Sequence, residues 1–258
     1  MSVNKTAIVT GGGTGLGRAI ALRLAEDGYN FVLNGQNRAP LDEVAALIGD
    51  DRALAVAADV SVRTEADRIV GEAVERFGRI DVIVNNAGVV IPGTADMLDD
   101  EAFDRMMAVN VGGVRNVSLA ALPELRKTKG NIVNMSSVSG MRGDWGMYGY
   151  NASKGAVSLM TLGMALDLGT EGIRVNAVAP AAANTRLAAP MAGNVKAAEA
   201  FAARIPMGRI VEPEEVAHAV AFLADNEKAG FINGVILPVD GGLSASNGQP
   251  SFVALAAG

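Results

Sequence analysis

A doubly wound parallel β-sheet with helices on both faces is the fold class this chain predicts, and three observations predict it. Short apolar runs alternate with helical patterns of roughly 10 to 15 residues along most of the chain. The apolar runs show little in-and-out alternation, as strands buried on both faces require. Glycine clusters stand at the ends of those runs, where a parallel strand must turn tightly into its helix.

The elements follow in order. Lys5 to Thr10 (KTAIVT) reads as a first buried strand. TGGGTGLG, Thr10 to Gly17, makes the turn, and a helix runs through Ala19, Ile20, Leu22, Leu24 and Ala25 to Gly28. Tyr29 to Asn34 is a second strand and Leu41 to Ile48 a second helix. Ala53 to Ala58 and Ile80 to Asn85 are further strands, separated by a Thr64 to Phe77 helix. One long helix is expected from about Glu101 to Leu125. Asn131 to Ser136 is strand-like, Tyr150 to Leu168 a helix and Ile173 to Ala179 a strand. Two stretches leave the rhythm: a lid-like insertion at about 184–209, rich in Ala, Met and Pro, and a small-residue tail at 244–258. No linker or compositional break divides the chain, so residues 1–258 are expected to form a single dinucleotide-binding catalytic domain.

Composition narrows the functions available. With 22 Lys+Arg against 28 Asp+Glu the net charge is −6, and no basic run exists, which argues against nucleic acid as a partner. The absence of cysteine excludes disulfides, thiolate nucleophiles and thiolate-held metals. The lone histidine, His218, falls in an apolar helical pattern (EEVAHAVAFLA), so no metal site is expected. The opening MSVNKTAIVTGGG has only a short apolar run that the fold itself needs. Neither a signal peptide nor a membrane span is expected, and the cytoplasm is the expected compartment.

A glycine-rich turn after the first strand lets backbone approach a pyrophosphate, and the next helix offers its unpaired N–H groups to the anion. The spacing here is TGxxxGxG, through Gly11, Gly15 and Gly17. The end of the second strand, Gly35 to Arg38, is where a ribose 2′ group falls. No carboxylate stands there, and Gln36, Asn37 and Arg38 suit a 2′-phosphate, which favours NADP(H) over NAD(H).

The stretch Ser137 to Lys154, SVSGMRGDWGMYGYNASK, carries the second chemical signal. Ser137 lies thirteen residues before Tyr150, and Lys154 four after it. On a helix, positions four apart share a face, so the phenol and the ammonium meet one surface. A tyrosine near pKa ~10 becomes an acid or base at neutral pH when a neighbouring positive charge favours its phenolate. Surface helices also carry Tyr and Lys at this spacing, so the glycine turn is needed to give the pair a meaning.

With both signals in place the chain resembles the short-chain dehydrogenase/reductase family over nearly its whole length. Thr10 to Gly17 matches the glycine motif, with Gly11, Thr14, Gly15 and Leu16 implied at the cofactor. Asp59-Val60 sits where the family contacts adenine, and Asn85-Asn86-Ala87-Gly88 matches the NNAG motif. Asn110, Ser137, Tyr150 and Lys154 match the catalytic tetrad. Pro180 and Thr185 match the segment over the nicotinamide, and Val239-Asp240-Gly241-Gly242 a late strand end. The resemblance implies a Rossmann-type sheet of seven strands, NAD(P)(H) as cofactor, hydride transfer on an alcohol/ketone pair and a homotetramer. It implies Tyr150 as proton donor or acceptor, Lys154 lowering the phenol's pKa and holding the nicotinamide ribose, Ser137 on the substrate oxygen, and Asn110 placing a water behind Lys154. Two departures stand out. Ala181-Ala182-Ala183 follows Pro180 where glycine is usual, and Thr14 and Gln36 replace arginines common in NADP(H) users.

The expected substrate is a small alcohol or ketone, bounded by Val90 to Met97, Ser139 to Tyr148 and Asn184 to Arg209. Trp145 and Met147 suit a compact, partly apolar molecule, though Trp145 equally suits a subunit contact. Arg142 and Asp144 would permit a polar one, and Met191, Ala192 and Met207 an apolar lid. The alternative is a 3-oxoacyl-acyl-carrier-protein reductase, which Arg126, Lys127 and Lys129 would favour and Glu171 disfavours. A non-catalytic nucleotide-binding scaffold is the remaining reading, against which the complete tetrad stands. Phe252, Val253 and Leu255 in the tail are expected to pack against a second subunit.

Overall fold

Seven strands form one sheet in the order β3-β2-β1-β4-β5-β6-β7. They are β1 (Thr6–Thr10), β2 (Asn30–Gly35), β3 (Ala53–Ala57), β4 (Val82–Asn85), β5 (Asn131–Met135), β6 (Arg174–Pro180) and β7 (Ile236–Val239). Every neighbouring pair is parallel. The computed structural model describes residues 4–185, 195–246 and 249. Met191, Ala192, Phe252, Val253 and Leu255 therefore lie outside the described residues.

Alternate strand residues feed two separate cores. Ala7, Val9, Phe31, Leu33, Val82, Val84, Val133 and Met135 face α1 (Gly15–Glu26), α2 (Arg38–Ile48) and the late helix Pro213–Ala224. Ile8, Val32, Val56, Ile83, Ile132 and Val175 face α3 (Arg63–Phe77), α5 (Gly113–Thr128) and α6 (Tyr148–Gly169). Because both faces are covered, successive residues of the central strands β1, β4, β5 and β6 are all buried, and most of them are apolar. Each fully buried Ile, Leu or Phe contributes roughly 1.5–3 kcal/mol. This is the doubly wound, helix-covered sheet the periodicity predicts, with the seven strands the resemblance implies.

Most predicted boundaries shift by one to three residues, but one element differs in kind. The long helix expected from Glu101 to Leu125 is instead α4 (Asp100–Met107), a π-helical turn at Ala108–Gly112, and α5. Asp99 caps α4 by accepting from the Ala102 N–H at 2.7 Å. Just past the π turn, α5 packs tightly on the loop after β3: a Cβ on Gly113 would come 2.6 Å from Val60 Cγ2. Such single-turn widenings gather at functional sites.

The chain winds outward from β1 in both directions, so a crevice opens between the C-terminal ends of β1 and β4. The turns after β1, β4, β5 and β6 all reach that end of the sheet. Of the insertion, α7 (Val195–Ala202) is helical, and Ile205 is buried against Val138 and Ala181. The helix Pro213–Ala224, α8, starts on Pro213 with the Glu215 carboxylate bonded to the Glu212 N–H at 2.9 Å.

Candidate active site

The glycine turn is built for close backbone approach. Gly11 and Gly15 have φ of +64° and +53°, which only glycine adopts without strain. A Cβ on Gly17 would lie 2.1 Å from the Gly11 carbonyl oxygen and 2.6 Å from Asn86 Nδ2. α1 opens at Gly15, and Thr14 makes no side-chain cap, so the first N–H groups of the helix are left to face an anion. Leu16 packs on the core beneath. This cradle fits the pyrophosphate of a dinucleotide.

The Asn85–Gly88 stretch is tied to the turn rather than aimed away from it. Asn86 Nδ2 donates to the Thr10 and Gly11 carbonyls at 2.9 and 3.2 Å. Thr10 Oγ1 accepts from the N–H groups of both Asn86 and Ala87 at 3.0 Å. The Asn86 amide, expected at the cofactor, thus braces the cradle. Thr10, the first letter of the glycine motif, is the residue that reasoning from the motif overlooked. At the other rim, a Cβ on Gly15 would meet Thr185 at 3.4 Å, which places the start of the insertion over the turn.

At the end of β2, Gln36 Nε2 donates to Asp59 at 2.7 Å, and Arg38 pairs with Asp42 at 2.7 Å on the open surface. Asn37 is exposed at the start of α2. Asp59 also accepts from Ser61 Oγ at 2.6 Å, from the Ser61 N–H and from Arg105. Burial pushes the Asp59 carboxyl up, but the Ser61 bonds and then the Arg105 charge outweigh it and hold it below the usual range. Nothing in the sequence joined Arg105 to Asp59. The neighbouring Val60 carbonyl is fixed to α5 by Asn116 Nδ2 at 3.0 Å.

The catalytic half gathers Ser137 from the end of β5 with Tyr150 and Lys154 from α6. The Lys154 ammonium stands 5.8 Å from the centre of the Tyr150 ring, and Ser137 Oγ donates to Ser139 Oγ at 3.2 Å. Lys154 Nζ donates to the Met135 carbonyl at 2.6 Å, and burial lowers its pKa to about 8. The phenol does not show the lowered pKa that a neighbouring ammonium predicts. Burial pushes it up to about 12, more than the nearby Ser137 hydroxyl brings it down. The Lys154 ammonium is directed to a carbonyl rather than to the phenol oxygen. Gly140 seats the turn after Ser137 on α6, since a Cβ there would lie 2.5 Å from the Lys154 carbonyl oxygen.

Asn110 lies in the π turn, and its side chain makes three hydrogen bonds. Oδ1 accepts from the Val89 N–H at 2.8 Å, while Nδ2 donates to the Val89 carbonyl at 2.9 Å and to Ser153 Oγ at 3.0 Å. It clamps the loop after Gly88 to α6. Gly88 is held close: a Cβ on it would meet Asn110 Oδ1 at 3.2 Å and Lys154 Nζ at 3.6 Å. Pro180 ends β6, where its carbonyl is 3.5 Å from Ser137 Oγ. None of Ala181, Ala182 or Ala183 has a positive φ, which is why alanine is tolerated after Pro180. Trp145 and Arg142 are exposed, and Tyr148 stacks on Phe103 with ring centres 5.9 Å apart. Among the described residues no cluster of acids and histidines could hold a metal, and no helix is long and apolar enough to cross a membrane.

Comparison with known proteins agrees with this geometry. A family model described as enoyl-(acyl carrier protein) reductase matches residues 11–244. The chain is 44% identical to meso-2,3-butanediol dehydrogenase of Serratia marcescens, covering 97% of this chain and 98% of that one. It superposes on the 3-ketoacyl-(acyl-carrier-protein) reductase of Brucella melitensis, solved with NADH, with a TM-score of 0.86 at 37% identity, covering 94% and 100% of the two chains. Levodione reductase gives a TM-score of 0.90 at 35% identity over 94% and 98%. On that coverage, with the glycine cradle and the Ser-Tyr-Lys grouping at one end of the sheet, the chain belongs to the short-chain dehydrogenase/reductase family and is an NAD(P)-dependent oxidoreductase.

Proposed function

We propose that the protein interconverts a small-molecule alcohol and its ketone within a single catalytic domain. The observation that carries this reading is the grouping of Tyr150 with buried Lys154, 5.8 Å from its ring, and with Ser137, at the end of the sheet that holds the glycine cradle. When bound, the nicotinamide supplies or accepts the hydride. In reduction Tyr150 gives its proton to the forming alkoxide, and in oxidation the phenolate takes the alcohol's proton. Ser137 orients the substrate oxygen. Lys154, charged below about pH 8, favours the phenolate as the proton leaves.

A compact diol or diketone is the substrate class we favour, in line with the named activity of the Serratia relative. Reduction of acyl-carrier-protein thioesters is the second reading, favoured by the family model and the Brucella structure. Against it, the Arg126 guanidinium is paired with Glu171, Lys129 Nζ donates to the Glu171 carbonyl at 2.9 Å and Lys127 pairs with Glu124 at 2.6 Å. Glu171 thus sets a carboxylate among these cations, which lowers the positive field an acidic carrier would meet there. A panel of 2,3-butanediol, acetoin, cyclic diketones and a 3-oxoacyl thioester, run in both directions, tests the choice. Turnover confined to the thioester would reverse it.

For the cofactor, the lack of a carboxylate at residues 35–38 supports NADP(H), because the Arg38–Asp42 pair is exposed and such pairs are weak. The NADH in the Brucella structure supports the other cofactor. Gly35→Asp should raise the ratio of NAD(H) to NADP(H) in kcat/KM by repelling a phosphate and accepting from a 2′-OH. An unchanged ratio would place 2′ recognition elsewhere.

We further infer a homo-oligomer, with the tetramer expected from the family. Leu159 and Leu166, 71% and 80% exposed, share one face of α6 with Leu162. A Cβ on Gly155 or Gly163 along that helix would meet nothing within 4 Å. An apolar helical stripe of this kind suits a second copy of the same helix. Leu159→Asp/Leu166→Asp should lower the mass measured by light scattering. An undiminished mass would remove this face from the assembly.

A further inference from the structure

We propose that Ser136 is a positioning residue for Lys154, its hydroxyl tying the lysine's backbone to the end of β5. Asn134, Met135 and Ser136 stand at the end of that strand, just before Ser137, and each of the three bonds to α6. Asn134 Nδ2 donates to Thr161 Oγ1 at 2.9 Å, the Met135 carbonyl accepts from Lys154 Nζ at 2.6 Å, and Ser136 Oγ donates to the Lys154 carbonyl at 3.3 Å. Lys154, Ser158 and Thr161 lie four and three residues apart, on one face of the helix. Lys154 is therefore held twice, by its ammonium and by its own backbone. A flexible four-carbon stem joins the two, so the tip stays in place only while the root does.

The bond at the root is enclosed. Ser136, Lys154 and Ser158 are all buried. A Cβ on Gly140 would lie 2.6 Å from Ser136 Oγ and 2.5 Å from the Lys154 carbonyl oxygen, so the turn after Ser137 closes directly over the pair. The Ser136 N–H is fixed in turn to the Val178 carbonyl of β6 at 2.9 Å. Ser136 Oγ also lies 2.7 Å from Ser158 Oγ, where either oxygen can be the donor. A serine has one hydroxyl proton. With the Ser136 proton on the Lys154 carbonyl, Ser158 donates to Ser136, and both protons have acceptors. Rolling or sliding α6 would carry Lys154 away from Ser137, and Ser136 resists that movement at the lysine itself. The inference rests on Lys154 acting in proton transfer, and its test separates the two.

Steady-state kinetics, and NMR of ¹³Cε-labelled lysine in the cofactor-free protein, supply the readouts. The Lys154 signal is the one missing from Lys154→Met. In Ser136→Ala kcat should fall about tenfold, a part of the ~10²-fold that a 1 Å misplacement costs, with KM for the cofactor within about threefold. The Lys154 signal, expected to titrate near pH 8 in the parent, should titrate higher by roughly 0.5 to 1 as its loosened site admits water. Ser158→Ala keeps the Ser136 bond to Lys154 and should leave kcat within about threefold. Ser136→Ala strands the Ser158 hydroxyl, so the double variant, which removes both hydroxyls, is the control. It should behave as Ser136→Ala does. The proposal is overturned if Ser136→Ala leaves either kcat or the Lys154 titration unmoved, or if the double variant restores either. An equal loss in Ser158→Ala would overturn it too, since the two serines would then act only as packing. Undiminished turnover in Lys154→Met would instead remove the reading on which the proposal rests, while the Lys154 titration would still report on the clamp.

Discussion

Tyr150→Phe is expected to lower turnover by ~10²–10⁴-fold, the usual contribution of a general acid–base group, while dinucleotide affinity stays within a few-fold of the parent. The change removes one oxygen and leaves the ring in place on α6. The glycine cradle, the Asp59 contacts and the Lys154 bond to Met135 involve no atom of the phenol. Removing one hydroxyl should cost stability no more than about 0.5–1.5 kcal/mol, so a folded variant is expected. Steady-state kinetics on the best substrate of the panel, with calorimetric titration of the cofactor, checks both halves. Turnover within threefold of the parent would remove Tyr150 from the proton-transfer role. A collapse in cofactor affinity would instead show that the phenol organises the nucleotide site.

Much of this site was legible because its chemistry is local. The glycine turn and the Tyr150–Lys154 pair each lie within a few residues, and period and spacing put them on a turn and a helix face, while the Asn85–Gly88 stretch is legible through the family resemblance. The sheet was legible for the same reason, since parallel strands buried on both sides leave unbroken apolar runs. What escaped depends on contacts between distant segments. Gln36 and Arg105 converge on Asp59 from separate elements, and Asn110 clamps Val89 to Ser153. The π turn at Ala108–Gly112 is invisible to periodicity, because one widened turn barely disturbs a helical pattern. The phenol's raised pKa escaped as well. Spacing gives the neighbour that would lower it, but only the packed structure gives the burial that wins.

Gly17→Ala is expected to be the most damaging single methyl in the cofactor half. The added Cβ would lie 2.1 Å from the Gly11 carbonyl oxygen, 2.7 Å from its carbon and 2.6 Å from Asn86 Nδ2. Favourable carbon contacts lie at ~3.5–4.0 Å, so something must move by more than an ångström's fraction, and two of the three atoms are backbone. Either α1 lifts from the sheet, disturbing fully buried Ile20 and Leu24, or the turn at Gly11 opens and Asn86 loses its two carbonyl partners. Both routes spoil the surface offered to the pyrophosphate. Overpacking of this kind costs typically ~1–3 kcal/mol, which in a chain this size lowers Tm by roughly 2–12 °C. Cofactor affinity should fall at least about tenfold, the equivalent of ~1.4 kcal/mol. Gly71→Ala supplies the contrast, since Gly71 lies inside α3 and its added Cβ would meet nothing within 4 Å. There the same methyl should raise stability by up to ~1 kcal/mol through helix propensity and leave the cofactor untouched. Thermal melts and NADH or NADPH fluorescence titrations of the two variants side by side decide the matter. If Gly17→Ala melts and binds like the parent, the close contact between α1 and the turn does not form the cofactor cradle.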